Sequence, residues 1–225
     1  MSKTKAPTRP TLERRNYSFE VRAEQDAQRG AIITGRPVVY SSETDIGGMF
    51  SEIIEPGALE GADLTDVRFL VNHDTSRIPM ARSRNNNENS TMQLSVDEAG
   101  LSIRVTLDVD NNSEARALYS AVQRGDISGM SFMFSIDSQR WEDVQSDYPK
   151  RHIDKIASIV EVSAVTFPAY TDTEIDARGG ALESARAALE SARRKVKRSD
   201  APEGAADALM LAKAKIMYGY NLKEV

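Results

Sequence analysis

Between residues 16 and 170 the chain runs through short stretches in which apolar and polar residues alternate, the period of strands with one face against a core. Tyr17, Phe19 and Val21 show it first. Strands are predicted over 31–33 and 37–40 around Gly35, over Phe50–Ile54 before the Pro56-Gly57 break, and over 67–71, with His73 just past the end. The sharpest signal is a hairpin. Met92, Leu94 and Val96 lead into Asp97-Glu98-Ala99-Gly100, and Leu101, Ile103, Val105 and Leu107 lead out. Ser113 is the expected N-cap of a helix through Ala115, Leu118, Ala121 and Val122 that ends at Gly125. A strand over 130–136, a polar loop around Trp141 and a long β-rich stretch over 153–166 complete the unit. Many short strands and one inserted helix predict an α+β, β-dominated fold closed, or nearly closed, into a barrel.

The C-terminal segment differs in kind. The string LESAR occurs at 182–186 and again at 189–193, and Leu182, Ala185, Leu189, Ala192 and Val196 fall on one helical stripe at heptad spacing. Such a stripe suits a coiled-coil contact with a scaffold or a second copy, and equally an amphipathic helix folded back on the body. A linker over 199–204 and a second helix over 205–218 follow. The expected division is a disordered basic arm over 1–15, a β-dominated domain over 16–177 and a helical tail over 178–225.

Charge sharpens that division. Residues 1–30 and 176–225 each carry a net +3, while 31–175 carry −11. An acidic body argues against a nucleic-acid-binding face, which needs clustered basic residues. The basic arms suit an acidic partner, or are solvated tails. With 40% apolar residues the chain can build a core, and no apolar run reaches the roughly 18 residues of a membrane span. The basic start has no apolar stretch behind it and does not read as a secretory signal. The absence of cysteine excludes disulfides, zinc–thiolate sites and a cysteine nucleophile.

Neutral-pH hydrolysis without cysteine needs a serine, threonine or metal-bound water, and a base. The base can come from only two histidines, His73 and His152. His73 lies in Asn72-His73-Asp74 at the exit of an apolar strand, where a scaffold presents a side chain to a cleft. In Gly125-Asp126-Ile127-Ser128-Gly129-Met130-Ser131-Phe132 a helix ends and a serine opens an apolar strand. Gly129 removes bulk beside the hydroxyl. Glu161 sits in the otherwise apolar or small run 159–166, costly to bury without a partner. Each also has a plain structural reading: a surface histidine, a turn serine, a solvent-facing glutamate.

Taken together, the strings NHD at 72–74, RGDISGMSFMF at 124–134 and EVSAVTFPAYTDTEI at 161–175, with GGMFSEIIEPGA at 47–58, resemble the prohead (capsid-maturation) serine proteases of tailed bacteriophages. The resemblance runs in order from about residue 33 to 177. It implies a fold like that of the herpesvirus assemblin proteases, a β-barrel flanked by helices. Position by position it puts the base on His73 and the nucleophile on Ser131, ahead of Ser128. For the third member Glu161 is preferred over His152 and Asp74. No cofactor or metal is implied.

The implied function is a serine endopeptidase, enclosed in the phage prohead in the bacterial cytoplasm, that cleaves scaffolding protein, the major capsid protein, or both, and itself. Homo-oligomer formation is left open, a membrane is not expected, and the tail beyond 180 would dock on scaffold or capsid protein. Three rivals remain: a non-catalytic capsid assembly or scaffolding protein of the same fold, a metal hydrolase using His73, Asp74 and His152, and a nucleic-acid packaging factor using the basic arms. The second has no recognisable ligand spacing.

Overall fold

A computed structural model describes residues 12–17, 21–26, 30–166 and 181–199. Within them the fold is β-dominated, with eleven strands and two helices. The strands are β1 (Leu12–Tyr17), β2 (Val21–Asp26), β3 (Gly30–Val39), β4 (Thr44–Ile46), β5 (Phe50–Ile54), β6 (Asp66–Val71), β7 (Ala81–Arg84), β8 (Met92–Asp97), β9 (Gly100–Leu107), β10 (Gly129–Glu142) and β11 (Lys150–Val165). Helix α1 spans Ser113–Arg124 and α2 spans Ala181–Ser199.

The β-rich α+β class fits, but the barrel expectation is corrected. The described strands form two separate sheets, and neither closes. The smaller is the ribbon β2–β3–β9–β8, antiparallel throughout. The larger follows the order β1–β10–β11–β5–β4, with β6 and β7 branching from β11. Its spine is β11, which pairs in parallel with β5 over Lys150–Ile153 and with β6 over Glu161–Ala164. One strand with two parallel neighbours at its two ends makes the sheet fork.

The core lies between the sheets. Ile33, Val38, Leu101, Ile103 and Val105 of the small sheet join Phe69, Phe132, Phe134, Ile153 and Val162 of the large one in a single buried cluster. Leu118 and Val122 of α1 belong to it. Gly100 is required where the hairpin meets β3: its φ is 132°, and a Cβ there would lie 2.1 Å from the Val38 carbonyl oxygen.

Several local expectations shift. Helix α1 is capped by Asn112, not Ser113, because the Asn112 side chain accepts the Glu114 and Ala115 N–H groups. Gly125 ends the helix in the left-handed region, as expected. The strands expected on either side of Gly35 are one strand, β3, with an irregular register between Gly35 and Val38. The polar segment around Trp141 is not a loop. It extends β10, and Trp141 packs edge-on against Phe50 with ring centroids 5.0 Å apart.

The largest shift is at the start. The disordered arm was expected to reach residue 15, yet Leu12–Tyr17 forms strand β1 on the edge of the large sheet. Its regularity is hidden because the inward positions are the charged Glu13 and Arg15, both buried. The alternation at Tyr17 and Val21 therefore belongs to two strands in different sheets, with Phe19 outside the described residues.

By compactness the chain divides at Arg186, into units 1–186 and 187–225. Helix α2 spans that division and contains the LESAR repeat. The helix expected over 205–218 lies outside the described residues.

Candidate active site

Three strands of the large sheet, β10–β11–β6, carry the site. Ser131 of β10 faces Ser163 of β11 in the antiparallel ladder, and Glu161 lies two residues back on the same face. β6 runs parallel to β11, with Val71 opposite Ala164. Just past it the chain makes a tight turn through Asn72 and His73, with φ of 51° and 58°. Two positive φ values in succession are what a type I′ turn requires, and the Asp74 N–H closes the turn onto the Val71 carbonyl at 3.1 Å. Asparagine tolerates that region; for histidine it costs about 1–2 kcal/mol. The cost is offset by the bonds that hold the turn. Asn72 takes the Thr166 N–H on its side-chain oxygen at 2.9 Å and gives its amide to the Thr166 hydroxyl at 3.0 Å.

The turn aims the imidazole across β11. His73 Nδ1 contacts a Glu161 carboxylate oxygen in a short hydrogen bond, and His73 Nε2 lies 2.5 Å from Ser131 Oγ. Ser163 locks the arrangement from beneath: its hydroxyl accepts the His73 backbone N–H at 3.1 Å and donates to the other Glu161 oxygen at 2.7 Å. Ser131 is fully buried, and the Glu161 and His73 side chains are 3% and 10% exposed. An imidazole with Nδ1–H held by a carboxylate presents a bare Nε2 to a hydroxyl, the arrangement that lets a serine lose its proton as it attacks.

The other candidates stand elsewhere. Ser128 is exposed, before β10 begins. The Asp74 carboxylate is taken up by the Ser76 hydroxyl and N–H, which with Arg77 hold its pKa below the usual range. His152 pairs with Glu55 at 2.5 Å at the far end of the β10–β11 ladder, beside Arg140. The two histidines are thus at opposite ends of the sheet, and no group of metal-ligating side chains forms among the described residues.

With this geometry in view, a comparison with protein families becomes decisive: the model of the caudovirus prohead serine protease matches residues 17–187. The chain belongs to that family. No curated protein and no solved structure matches it. Membership in the prohead protease family implies a serine peptidase that works in phage capsid assembly.

Sequence reasoning missed parts of this candidate site. Ser163 was readable in principle, since a residue two along a strand from Glu161 must share its face. Asn72 carried a weaker signal, as an asparagine where a turn needs positive φ. Four mutually paired buried charges were not singled out: Glu13 and Arg15 of β1, Glu52 of β5 and Arg151 of β11, of which Arg15 meets the Ser131 hydroxyl through its carbonyl oxygen. A cavity of about 450 Å³ also lies against the His73 turn, lined by Asn72 and Asp74 with Leu70, Ile78, Met80 and Leu118.

Proposed function

We propose that the protein is a prohead-maturation serine endopeptidase whose catalytic groups are Ser131, His73 and Glu161. The observation that carries this reading is the continuous chain of contacts from Glu161 through His73 to the Ser131 hydroxyl. Ser131 Oγ adds to a peptide carbonyl carbon while His73 Nε2 takes its proton, and His73 returns that proton to the leaving amine as the C–N bond breaks. Water then attacks the ester by the same route and leaves a new carboxylate. Glu161 fixes the ring and stabilises its cationic form, with Ser163 as a positioning residue.

The substrates on this reading are scaffolding protein, the major capsid protein, or both, together with the enzyme itself, inside the prohead. The tail from 178 onward docks the enzyme on its targets, and enclosure in a shell lets a weak contact suffice by raising local concentration. Kinship in fold with the herpesvirus proteases is supported by the β-rich core and weakened by the two open sheets.

The test is intact mass over time for wild type, Ser131→Ala and His73→Ala, alone and with capsid protein. Both variants are expected to lose at least about a thousandfold in rate. Equal cutting by Ser131→Ala would refute the assignment. The burial of Ser131 favours one alternative, a non-catalytic assembly protein of the same fold. A serine-reactive phosphonate decides between them, since labelling at Ser131 requires an activated hydroxyl.

A further inference from the structure

Ser131 is buried, and β1 flanks it along the edge of the sheet. The strand runs antiparallel to β10 in register, with Asn16 opposite Ser131 and Arg15 opposite Phe132. The Ser131 hydroxyl lies 2.8 Å from the Arg15 carbonyl oxygen as well as 2.5 Å from His73 Nε2. A hydroxyl has one proton and cannot donate to both. A main-chain carbonyl thus sits on the nucleophile, carried by a strand added to the edge of the sheet, which is how extended peptides are commonly bound.

The Glu13 and Arg15 side chains of β1 are matched to the Phe132 and Phe134 face of the sheet. Arg15 lies with its guanidinium 5.6 Å from the Phe134 ring centre. It pairs through two nitrogens with Glu52, one contact at 2.8 Å and the other shorter. Two residues back, Glu13 receives Arg151 through both oxygens at 2.8 Å. Arg151 also reaches Glu52 at 3.0 Å and is held by Gln139 at 2.6 Å. The body thus offers Glu52 to the basic residue whose carbonyl meets the Ser131 hydroxyl, and Arg151 to the acidic residue two before it.

We propose that β1 occupies the substrate's place, and that the enzyme cuts extended segments of the pattern acidic–any–basic after the basic residue, selected by Glu52 and Arg151. In the full chain β1 is then a competitor that must leave before a substrate enters. This inference rests on the reading of Ser131 as nucleophile.

The test uses full-length wild type and Arg15→Gln with a blocked peptide of the β1 sequence, Leu-Glu-Arg-Arg-Asn-Tyr. Two further peptides carry leucine for the second arginine or for the glutamate. Cleavage is expected between the second arginine and asparagine. Its kcat/KM should fall at least about thirtyfold with leucine at the arginine, the loss expected when one partner of a buried charge pair is removed, and by less with leucine at the glutamate. Arg15→Gln, with β1 held less firmly, should cut the parent peptide faster than wild type, a gain that misfolding cannot produce. Equal rates on all three peptides, cleavage at another bond, or no gain in Arg15→Gln would overturn the proposal. Adding Ser131→Ala to Arg15→Gln separates the two readings. Persistent cutting removes the nucleophile assignment, whereas abolished cutting without charge preference removes only this inference. If neither chain cuts the parent peptide the inference fails, and phosphonate labelling of Ser131 still reports on the nucleophile.

Discussion

The two sheets meet at one core but are built on opposite terms. Every buried polar or charged residue among those described lies in a strand of the large sheet: Glu13 and Arg15 in β1, Ser51 and Glu52 in β5, Ser83 in β7, Ser131 and Ser135 in β10, and Arg151, His152, Glu161 and Ser163 in β11. The small sheet buries only apolar side chains, such as Ile33, Val38, Leu101 and Val105. Burying a charge costs several kcal/mol unless partners replace its water, roughly. The large sheet meets that cost with the Glu161–His73–Ser131 line, the four-charge cluster of Glu13, Arg15, Glu52 and Arg151, and the His152–Glu55 pair. The small sheet is the support against which they are held.

That contrast can be broken by one substitution in each sheet. The larger effect belongs to Arg151→Ala, which leaves Glu13 and Glu52 with Arg15 as their remaining cation in the cluster. We expect a loss of about 3–5 kcal/mol in denaturant-unfolding stability, the usual result of stripping one member from a buried ionic group. Leu101→Ala, at a fully buried position on β9, should cost about 2–4 kcal/mol through a cavity. The sharper difference is in activity per folded molecule, which Leu101→Ala should leave within about twofold, since Leu101 lies in the sheet that carries none of Ser131, His73 and Glu161. If Leu101→Ala lowered kcat/KM of the folded fraction as far as Arg151→Ala did, the division into supporting and working sheets would be wrong.

The same contrast explains what the sequence made legible. The small sheet announces itself: Met92 to Leu107 alternates so regularly that the hairpin and its turn could be placed directly. The residues now brought together as the site were also visible, because each breaks a pattern: a histidine at a strand exit, a serine behind a glycine, a glutamate in an apolar run. What was hidden depends on pairing between distant segments. β11 meets β5 and β6 in parallel, and nothing local in 150–165 indicates two neighbours or a forked sheet. β1 was hidden for another reason. Its buried face is Glu13 and Arg15, so hydrophobic periodicity reads it as a solvated arm until Glu52 and Arg151 are seen to meet it.

The smallest predicted effect probes that hidden strand by pH. Burial pushes the Glu13 carboxyl up, but Arg151 and Arg15 outweigh it and hold its pKa below the usual glutamate range. Around it stand Arg15 on its own strand, Arg151 on β11 and Glu52 on β5. A carboxyl whose folded value is lowered stabilises the docked strand fully above the ordinary glutamate pKa, and that contribution is lost as pH falls through the lowered value. Amide protection factors over Leu12–Tyr17 should therefore hold at neutral pH and decline below the ordinary glutamate range, before those of β10 and β11. Glu13→Gln should flatten that decline and start from lower protection. Its magnitude is set by one carboxylate among four charges, so the strand loosens while the sheet persists. A β1 that kept full protection in acid, or exchanged only together with β10, would be a permanent strand of the sheet and not a stand-in that leaves Ser131 open.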